Sequence, residues 1–462
     1  MGVGQGWGRA ALKMRALALL APLLQQTLAL TVENLRTEYL ENPLGLDKPA
    51  PRFAWELQAG AGQRGVAQQS YRILVGDKGA ADGSVWDSKV VASNASFQVK
   101  YAGPPLKSGA IYHWSVTVAT SGSAVSSVAV SGSATSPTAY FSMGMLAKAD
   151  WGGDFIGTAS PNASEPVVGQ LTRGALPPQP PTGGAACPWF RKSFSLPASA
   201  TSTGLLHVAS VGYHELSVNG QPATDAVLLP SISYLPKRVL SRTYNVSELL
   251  KPGAKNAIGI WAATSWAEYP DLHHGISLDA PLVLAKLEVG SFSLSTDASW
   301  KTHASTTRHI GGSWGSSGFG GEAVDESKAI AGWDTAALDD STWSSVIVHP
   351  LSSYSHIEIS ADAMEPTVKH SSIAAQSVAV ATKGNPHFPP PPPGTWVVEM
   401  EEVYTGWFEV HNMHGAPGST VHFQVSTTGG IPMVSRRQQQ ARNSFAEPRC
   451  FGGGGGGDRS TT

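Results

Sequence analysis

The sequence predicts an all-β protein built from tandem β-sandwich domains, and three observations support this. The 50 glycines and 32 prolines outnumber the 32 basic and the 34 acidic residues, which favours short strands joined by turns. Segments such as residues 112–118 alternate large and small side chains with period two, as half-buried strands do. No long amphipathic helical pattern occurs anywhere in the chain.

Composition excludes several classes of protein. The formal net charge is −2 and 14% of residues are charged, which argues against a nucleic-acid partner. A hydrophobic content of 41% is enough to form buried cores, so the chain is not broadly disordered. Two cysteines exclude a disulfide-dense scaffold and a zinc site of four thiolates. Cys187 and Cys450 have only each other as disulfide partners, and we predict that both are free.

Residues 1–29 are predicted to be a secretory signal peptide. Arg9, Lys13 and Arg15 precede the apolar stretch 16–24, which is too short to cross a bilayer. The alternative is a buried N-terminal helix. No later apolar stretch is long enough for a membrane span, so we expect a secreted or lumenal protein.

Three N-glycosylation sequons agree with export. Their acceptors, which we predict to be glycosylated, are Asn94, Asn162 and Asn245.

The remaining chain divides into three β regions and a tail. Their predicted limits are residues 32–146, 150–350, 365–430 and 431–462. In the second region, residues 213–218 alternate and run into Asn219-Gly220, a pair that favours a tight hairpin turn. The tail contains glutamine and glycine runs without apolar periodicity, and it is predicted to be disordered or aberrant.

An ordered series of motifs runs through these regions. In the first region the motifs are residues 42–47, 51–55, 69–75, 85–88 and 112–114; in the second they are 190–192, 215–216, 219–220, 234–247, 332–334 and 339–343; in the third they are 394–410. In this order they resemble the N-terminal half of bacterial-type α-L-rhamnosidases, glycoside hydrolases that remove terminal rhamnose.

The resemblance implies a fibronectin-III-like sandwich at residues 32–146, a jelly-roll domain at 150–350 and a partial third sandwich at 365–430. In that family an (α/α)6 barrel downstream of these domains hydrolyses α-L-rhamnosides with inversion. No residue here matches its catalytic motifs, so we assign no catalytic residue and expect this chain alone to be inactive. The implied partners are rhamnose-containing glycans, with no cofactor.

Other chemistry-bearing motifs are interpreted as structural. Residues 399–402 hold three glutamates where the family usually carries a different motif, and we interpret them as a solvated strand face. Asp339 and Asp340 are predicted turn residues. Residues 311–315 match Gly-x-Ser-x-Gly but lie in a glycine-rich loop. The histidine pairs at 273–274 and 411–414 lack metal-ligand spacing, so no metal site is predicted.

An aromatic cluster is the strongest binding signal in the sequence. Trp261, Trp266 and Tyr269 crowd the end of an apolar strand, and flat aromatic rings pack well against the C–H faces of sugars. Glu215, Arg238 and Asp271 are candidate polar contacts near these rings. The alternative is that these rings pack in a core or between domains.

Two alternatives to a rhamnosidase accessory region remain open at this point. One is a stand-alone, non-catalytic carbohydrate-binding or adhesion module. The other is a truncated product whose incomplete last sandwich exposes unpaired strand edges.

Overall fold

The structure, a computed structural model, describes most of the chain between residues 30 and 401 and short pieces beyond. The described residues are 30–60, 63–123, 132–159, 185–268, 279–310, 321–380, 396–401, 406–407, 409–411, 415–416, 418–421 and 436–437. The chain divides into two compact units, Met1–Asp150 and Trp151–Thr462. Within the described ranges the regular structure is strands and short 3-10 turns, as the sequence predicts, and no helix there is long and apolar enough to cross a bilayer.

The first unit forms a sandwich of two antiparallel sheets. Its strands are β1 (Thr31–Thr37), β2 (Arg52–Gln58), β3 (Arg64–Gly76), β4 (Trp86–Asp87), β5 (Val99–Lys100), β6 (Ile111–Ser123), β7 (Gly132–Thr135) and β8 (Ala139–Ser142). One sheet has the order β1-β2-β5. The other has the order β4-β3-β6-β7, and β8 also pairs with β6.

Alternate residues of β6 supply the centre of the first core. Tyr112, Trp114, Val116 and Val118 are buried on one face of the strand, which confirms the predicted period of two. Phe53 of β2 lies with its ring centroid 4.5 Å from that of Trp114. Because β2 and β6 belong to different sheets, this contact joins the two layers of the sandwich.

The second unit is built around a larger sandwich. Its strands are β9 (Phe155–Gly157), β10 (Ala185–Ala186), β11 (Trp189–Ser195), β12 (Gly204–Val211), β13 (Tyr213–Val218), β14 (Gln221–Pro222), β15 (Ala226–Val227), β16 (Arg238–Asn245), β17 (Lys255–Ala263), β18 (Leu282–Val289), β19 (Phe292–Ser295), β20 (Lys301–His303), β21 (Thr307–Ile310), β22 (Gly321–Val324), β23 (Ser344–Ser345), β24 (Ile347–His349), β25 (Glu358–Ala361), β26 (Thr367–Val368), β27 (Ser377–Val380), β28 (Trp396–Glu399), β29 (Thr420–Val421) and β30 (Arg436–Arg437).

Two large sheets of this unit enclose one apolar core. The six-stranded sheet has the order β14-β13-β17-β11-β20-β23, and the seven-stranded sheet has the order β24-β9-β18-β12-β16-β25 with β19 paired to β18. Leu206 and Val208 of β12 meet Ile258 and Ile260 of β17 in this core, and all four are fully buried. The tandem β-sandwich class predicted from the sequence is confirmed.

The predicted hairpin turn after β13 is present. Val218 pairs with Gln221, and the two turn residues have positive φ values of 54° for Asn219 and 80° for Gly220, as a type I′ turn requires. The Asn219 side chain also accepts a hydrogen bond from the backbone N–H of Ala257 and donates to the side chain of Asn256. The turn is therefore tied to the neighbouring strand β17.

The region predicted as a third sandwich contributes short strands to the second unit. β26 pairs with β15 and β27 pairs with β28. The predicted domain limits stay predictions. The predicted signal peptide, and the tail apart from Arg436–Arg437, lie outside the described residues.

Two histidines are buried in the second sandwich. His214 lies with Nδ1 2.8 Å from Ser210 Oγ and Nε2 2.8 Å from Tyr244 Oη. Burial is the main cause that lowers its pKa to about 3, and the positive charge of Arg242 adds to this. The His214 ring is therefore neutral across the physiological pH range.

His207 on β12 behaves in the same way. Burial first, and then the charge of Lys286, lowers its pKa to about 3. Glu288 lies 3.7 Å from His207 Nε2, but Lys286 already pairs with Glu288 at 3.0 Å. The carboxylate is thus shared with a cation that opposes protonation of the ring.

Acidification below about pH 6.5 is expected to destabilise the second sandwich. Histidines of the unfolded chain take up protons near pH 6.5, whereas His207 and His214 stay neutral in the folded state down to about pH 3. The unfolded state therefore binds more protons in this window, and the free energy of unfolding falls by up to about 1.4 kcal/mol per pH unit for each histidine. Urea unfolding at a series of pH values measures the slope.

The control for this prediction is a matched pair of substitutions. His214→Gln is expected to flatten the slope, whereas His411→Gln, at an exposed side chain, leaves it unchanged. Equal slopes for both variants and the parent chain would contradict the assignment.

Candidate functional site

Aromatic rings cover the outer face of the six-stranded sheet. Along β11, Phe190 and Phe194 point into the core, so the alternating Trp189 and Arg191 lie on the opposite face. Trp189 pairs across the sheet with Trp261 of β17 and with His303 of β20. Cross-strand neighbours share a face, so these three rings form a row across the outer surface of the sheet.

Residues 332–343, which follow these strands in the sequence, add Trp333 and Trp343 to this row of rings and so form an aromatic cluster. The Trp333 ring stacks on that of Trp189 with centroids 5.0 Å apart and planes 10° apart, and the Trp343 ring lies 6.4 Å away at 17°. Trp261 meets Trp189 edge to face at 6.2 Å. Trp189 and Trp343 are buried, whereas Trp261 and Trp333 remain partly exposed.

The buried guanidinium of Arg191 holds this loop on the sheet. Its Nε donates to the carbonyl of Trp333 at 3.0 Å, and Nη2 donates to the carbonyl of Thr335 at 2.5 Å. Nη1 donates to the Asp340 carboxylate. Burial lowers the pKa of Arg191 from its ordinary value and Asp340 opposes this; the side chain stays charged because an arginine titrates far above neutral pH.

The loop also needs a glycine beneath it. A Cβ on Gly259 of β17 would lie 2.6 Å from Cβ of Asp334 and 2.9 Å from the ring of Trp333. The absence of a side chain at Gly259 thus lets residues 332–335 approach the sheet closely.

The structure describes two of the three aromatic residues predicted to bind sugar. Trp261 is half-buried and its indole N–H donates to the carbonyl of Cys187 at 3.1 Å. Trp266, in the 3-10 turn Ser265–Glu268, is also half-buried and donates to Tyr213 Oη at 3.0 Å. Tyr269 lies outside the described residues. Both indole N–H groups are already used by the protein, so any sugar contact by these residues depends on their ring faces.

The structure does not bring together all of the candidate polar contacts for these aromatic rings. Glu215 pairs with Trp261 across β13 and β17, and so it lies beside that ring. Arg238 belongs to β16 of the other large sheet. Asp271 lies outside the described residues.

The other motifs give no metal site or catalytic pair in the part of the chain that is described. Glu399 accepts a hydrogen bond from Ser377 Oγ at 2.9 Å on the exposed strand β28, and Glu401 is also exposed. His411 lies 3.5 Å from Glu409 on an exposed segment. No group of three or more metal-ligating side chains occurs among the described residues. Residues 311–315, 273–274, Glu402 and His414 lie outside them.

Among the described residues, the carboxyl group of Glu326 has a raised pKa. Burial is the main cause and the neighbouring Asp325 adds to it. A raised pKa suits a general acid, but glycoside hydrolysis also needs a second carboxylate across the sugar. Asp325 is instead engaged by Ser327 at 2.6 Å and by Lys328 at 3.4 Å.

The cysteine and sequon predictions have partial outcomes. Cys187 is buried and free, as predicted, and Cys450 lies outside the described residues. Asn94 and Asn245 are exposed, and Asn162 lies outside the described residues. Glycosylation of the three stays a prediction.

Sequence reasoning did not find most members of the aromatic cluster. Asp340, predicted as a turn residue, does accept the backbone N–H of Trp343, but its carboxylate also binds Arg191. The residues that meet at this cluster are separated by about half of the second unit along the chain. The available signal was the motif at 332–334 together with Trp343, which the resemblance had already singled out.

Two family models match this chain. The first, described as the Rha78A-like, N-terminal immunoglobulin domain, covers residues 32–147, and the second, described as the α-L-rhamnosidase N-terminal domain, covers residues 199–371.

The curated relatives are α-L-rhamnosidases. One from Formosa agariphila is 27% identical over 353 residues, or 73% of this chain and 34% of that protein. Another from Streptomyces avermitilis is 30% identical over 194 residues, 42% of this chain and 18% of that protein. The matches lie in the N-terminal portion of these relatives, and this chain spans about a third of the length of the first of them.

Solved structures show the same fold. The α-L-rhamnosidase of Dictyoglumus thermophilum aligns with a TM-score of 0.67 at 24% identity, over 89% of this chain and 45% of that chain. The Streptomyces avermitilis enzyme complexed with L-rhamnose aligns with a TM-score of 0.60 at 18% identity, over 91% of this chain and 55% of that one.

Replacement of Arg191 by methionine is expected to release the loop that carries Trp333. The change leaves the Asp340 carboxylate and the loop carbonyls without their donor, which should cost about 3 kcal/mol or more in the free energy of unfolding. Urea unfolding measures the loss, and tryptophan fluorescence reports the exposure of the stacked rings. Lys192→Met, on the same strand at a side chain bonded to Ser299, is the matched control. Equal effects of the two substitutions would contradict the role assigned to Arg191.

Proposed function

We propose that this chain, which belongs to the bacterial-type α-L-rhamnosidase family through its N-terminal domains, is the accessory region of an enzyme that hydrolyses terminal α-L-rhamnosides. The observation that carries the proposal is the succession of two different family domains in the family order, at residues 32–147 and 199–371. Rhamnose-containing glycans are the proposed substrates, and the structure of a relative complexed with L-rhamnose supports this choice.

The chemistry of the described residues supports an accessory role. Several carboxylates of the second sandwich are occupied by structural cations: Asp340 by Arg191, Asp362 by Arg242 at 2.9 Å, and Glu288 by Lys286 at 3.0 Å. These carboxylates are held in structural ion pairs, whereas glycoside hydrolysis uses two carboxyl groups that face the sugar from opposite sides. We therefore propose that hydrolysis uses carboxylates of a catalytic domain beyond these sandwiches.

A non-catalytic carbohydrate-binding module is the second candidate. The partly exposed ring of Trp261, beside Glu215 on the outer face of the sheet, favours it. This alternative needs sugar binding by this chain without turnover.

The 462-residue chain is expected not to cleave an aryl α-L-rhamnoside. The measurement is release of the aryl alcohol by the purified chain, with the Dictyoglumus thermophilum enzyme as the positive control. Turnover that copurifies with the chain and is lost in Glu326→Gln, with the fold unchanged, would overturn the accessory assignment.

The mass of the native protein and a peptide map of its C-terminal part separate the two candidates. A rhamnosidase that continues past about Gly430 supports the enzyme. A native product ending at Thr462 that binds rhamnosides without cleaving them supports the binding module.

We also propose that the protein is exported to a secreted or lumenal location. The basic and apolar composition of residues 1–29 and the exposure of Asn94 and Asn245 support this. Expressed in a eukaryotic secretory host, the protein is expected to lose mass on treatment with an N-glycan-releasing amidase. Asn94→Gln and Asn245→Gln should each remove part of that loss, while Asn34→Gln, which is outside any sequon, should not. An unglycosylated protein retained inside the cell would contradict export.

A further inference from the structure

Two aromatic side chains stand exposed on the first sandwich, outside the cluster of the second unit. Tyr39, just after β1, is 44% exposed, and Phe97, just before β5, is 58% exposed. Their ring centroids lie 5.7 Å apart with the planes tilted by 49°. The rings form a shallow angled surface, which we call the Tyr39–Phe97 surface.

An ion pair supports this surface. The Glu38 carboxylate accepts Arg52 Nη2 at 2.5 Å, Nε at 3.0 Å and the Arg52 backbone N–H at 2.6 Å. Burial opposes ionisation of Glu38, but the bonds and charge of Arg52 outweigh it and hold the pKa of the carboxyl below its ordinary value. The Arg52 guanidinium lies 4.8 Å from the centre of the Tyr39 ring and orients it.

The backbone beneath the surface is held in an uncommon conformation. Glu38, Tyr39 and Gln98 have φ values of 51°, 71° and 54°, in the left-handed region that non-glycine residues rarely adopt. Such residues persist where the surrounding structure enforces them, and they concentrate at ligand sites. Here the conformation places the Tyr39 ring in solvent, where it does not pack in the core.

Polar groups with unused bonding capacity border the rings. The Tyr39 hydroxyl oxygen accepts Gln98 Nε2 at 2.8 Å and Arg52 Nη1 at 3.1 Å, which fills both of its lone pairs. Its own proton is left as a donor with no acceptor among the described residues. The Gln98 carbonyl is exposed beside it as an acceptor. A donor and an acceptor therefore stand together at the edge of the two aromatic rings.

We propose that the Tyr39–Phe97 surface binds a terminal 6-deoxyhexose of the L-rhamnose type. The C–H face and methyl group of such a sugar pack on the two rings, and its hydroxyls bond the Tyr39 proton and the Gln98 carbonyl. The choice of L-rhamnose rests on the proposed function, whereas the existence of a sugar site rests on the geometry.

The test is a titration of the full 462-residue chain with methyl α-L-rhamnoside. Binding is measured by calorimetry and by ligand-detected saturation-transfer NMR. The protein is made in a host that adds no N-glycans, so that sugar attached at Asn94 cannot occupy the surface. Phe97→Ala is expected to weaken binding about fivefold, the size of one aromatic contact. Tyr39→Phe, which keeps the ring, should weaken it by a smaller factor through loss of the hydroxyl donor. Tyr140→Ala, at an exposed tyrosine of the same sandwich, is the matched control and should bind as the parent chain does.

Each outcome decides for or against the site. Equal binding by the parent chain and Phe97→Ala, or no binding at all, overturns it even if the native protein is a rhamnosidase. Binding that is lost in Phe97→Ala and retained in Tyr140→Ala supports it even if the native protein cleaves no rhamnoside, in which case the proposed enzyme activity fails and the site stands. Preference for methyl β-D-glucoside in the same titration overturns the choice of sugar class.

Discussion

The buried charge of Arg191 is the interaction on which the outer layer of the second sandwich depends. Burying a guanidinium is costly unless its N–H groups find acceptors, and here carbonyls of the loop and the Asp340 carboxylate accept from it. These bonds hold the loop close to the sheet, so that the Trp333 ring stacks on the Trp189 ring. A single buried cation thus anchors an irregular loop on the outer face of the sheet.

Other charged and polar side chains of the second sandwich are likewise engaged in structural contacts. Asp362 is bound by Arg242, Glu288 by Lys286, and His214 by two hydroxyl-bearing side chains. Groups bonded in this way stabilise a single arrangement of the core.

The first sandwich divides its aromatic residues between two roles. Phe53 and Trp114 are fully buried and join the two sheets, so they account for much of the apolar area removed from water. Tyr39 and Phe97 contribute little to that core, yet Arg52, Glu38 and Gln98 hold Tyr39 in place. Ordering an exposed ring costs conformational entropy, which distinguishes these two residues from ordinary surface side chains.

The sequence by itself determined what depends on neighbours along the chain. The period-two burial of β6 and the Asn219-Gly220 turn follow from local alternation and from backbone preference, and the order of family motifs follows from the sequence alone. Tertiary structure decided which distant residues meet. Arg191 donates a hydrogen bond to the carbonyl of Trp333, which lies 142 residues away in the sequence. Arg238 lies in a different sheet from Trp261. Such meetings depend on strand order and on which face of a sheet is covered, and neither leaves a periodic signal in the sequence.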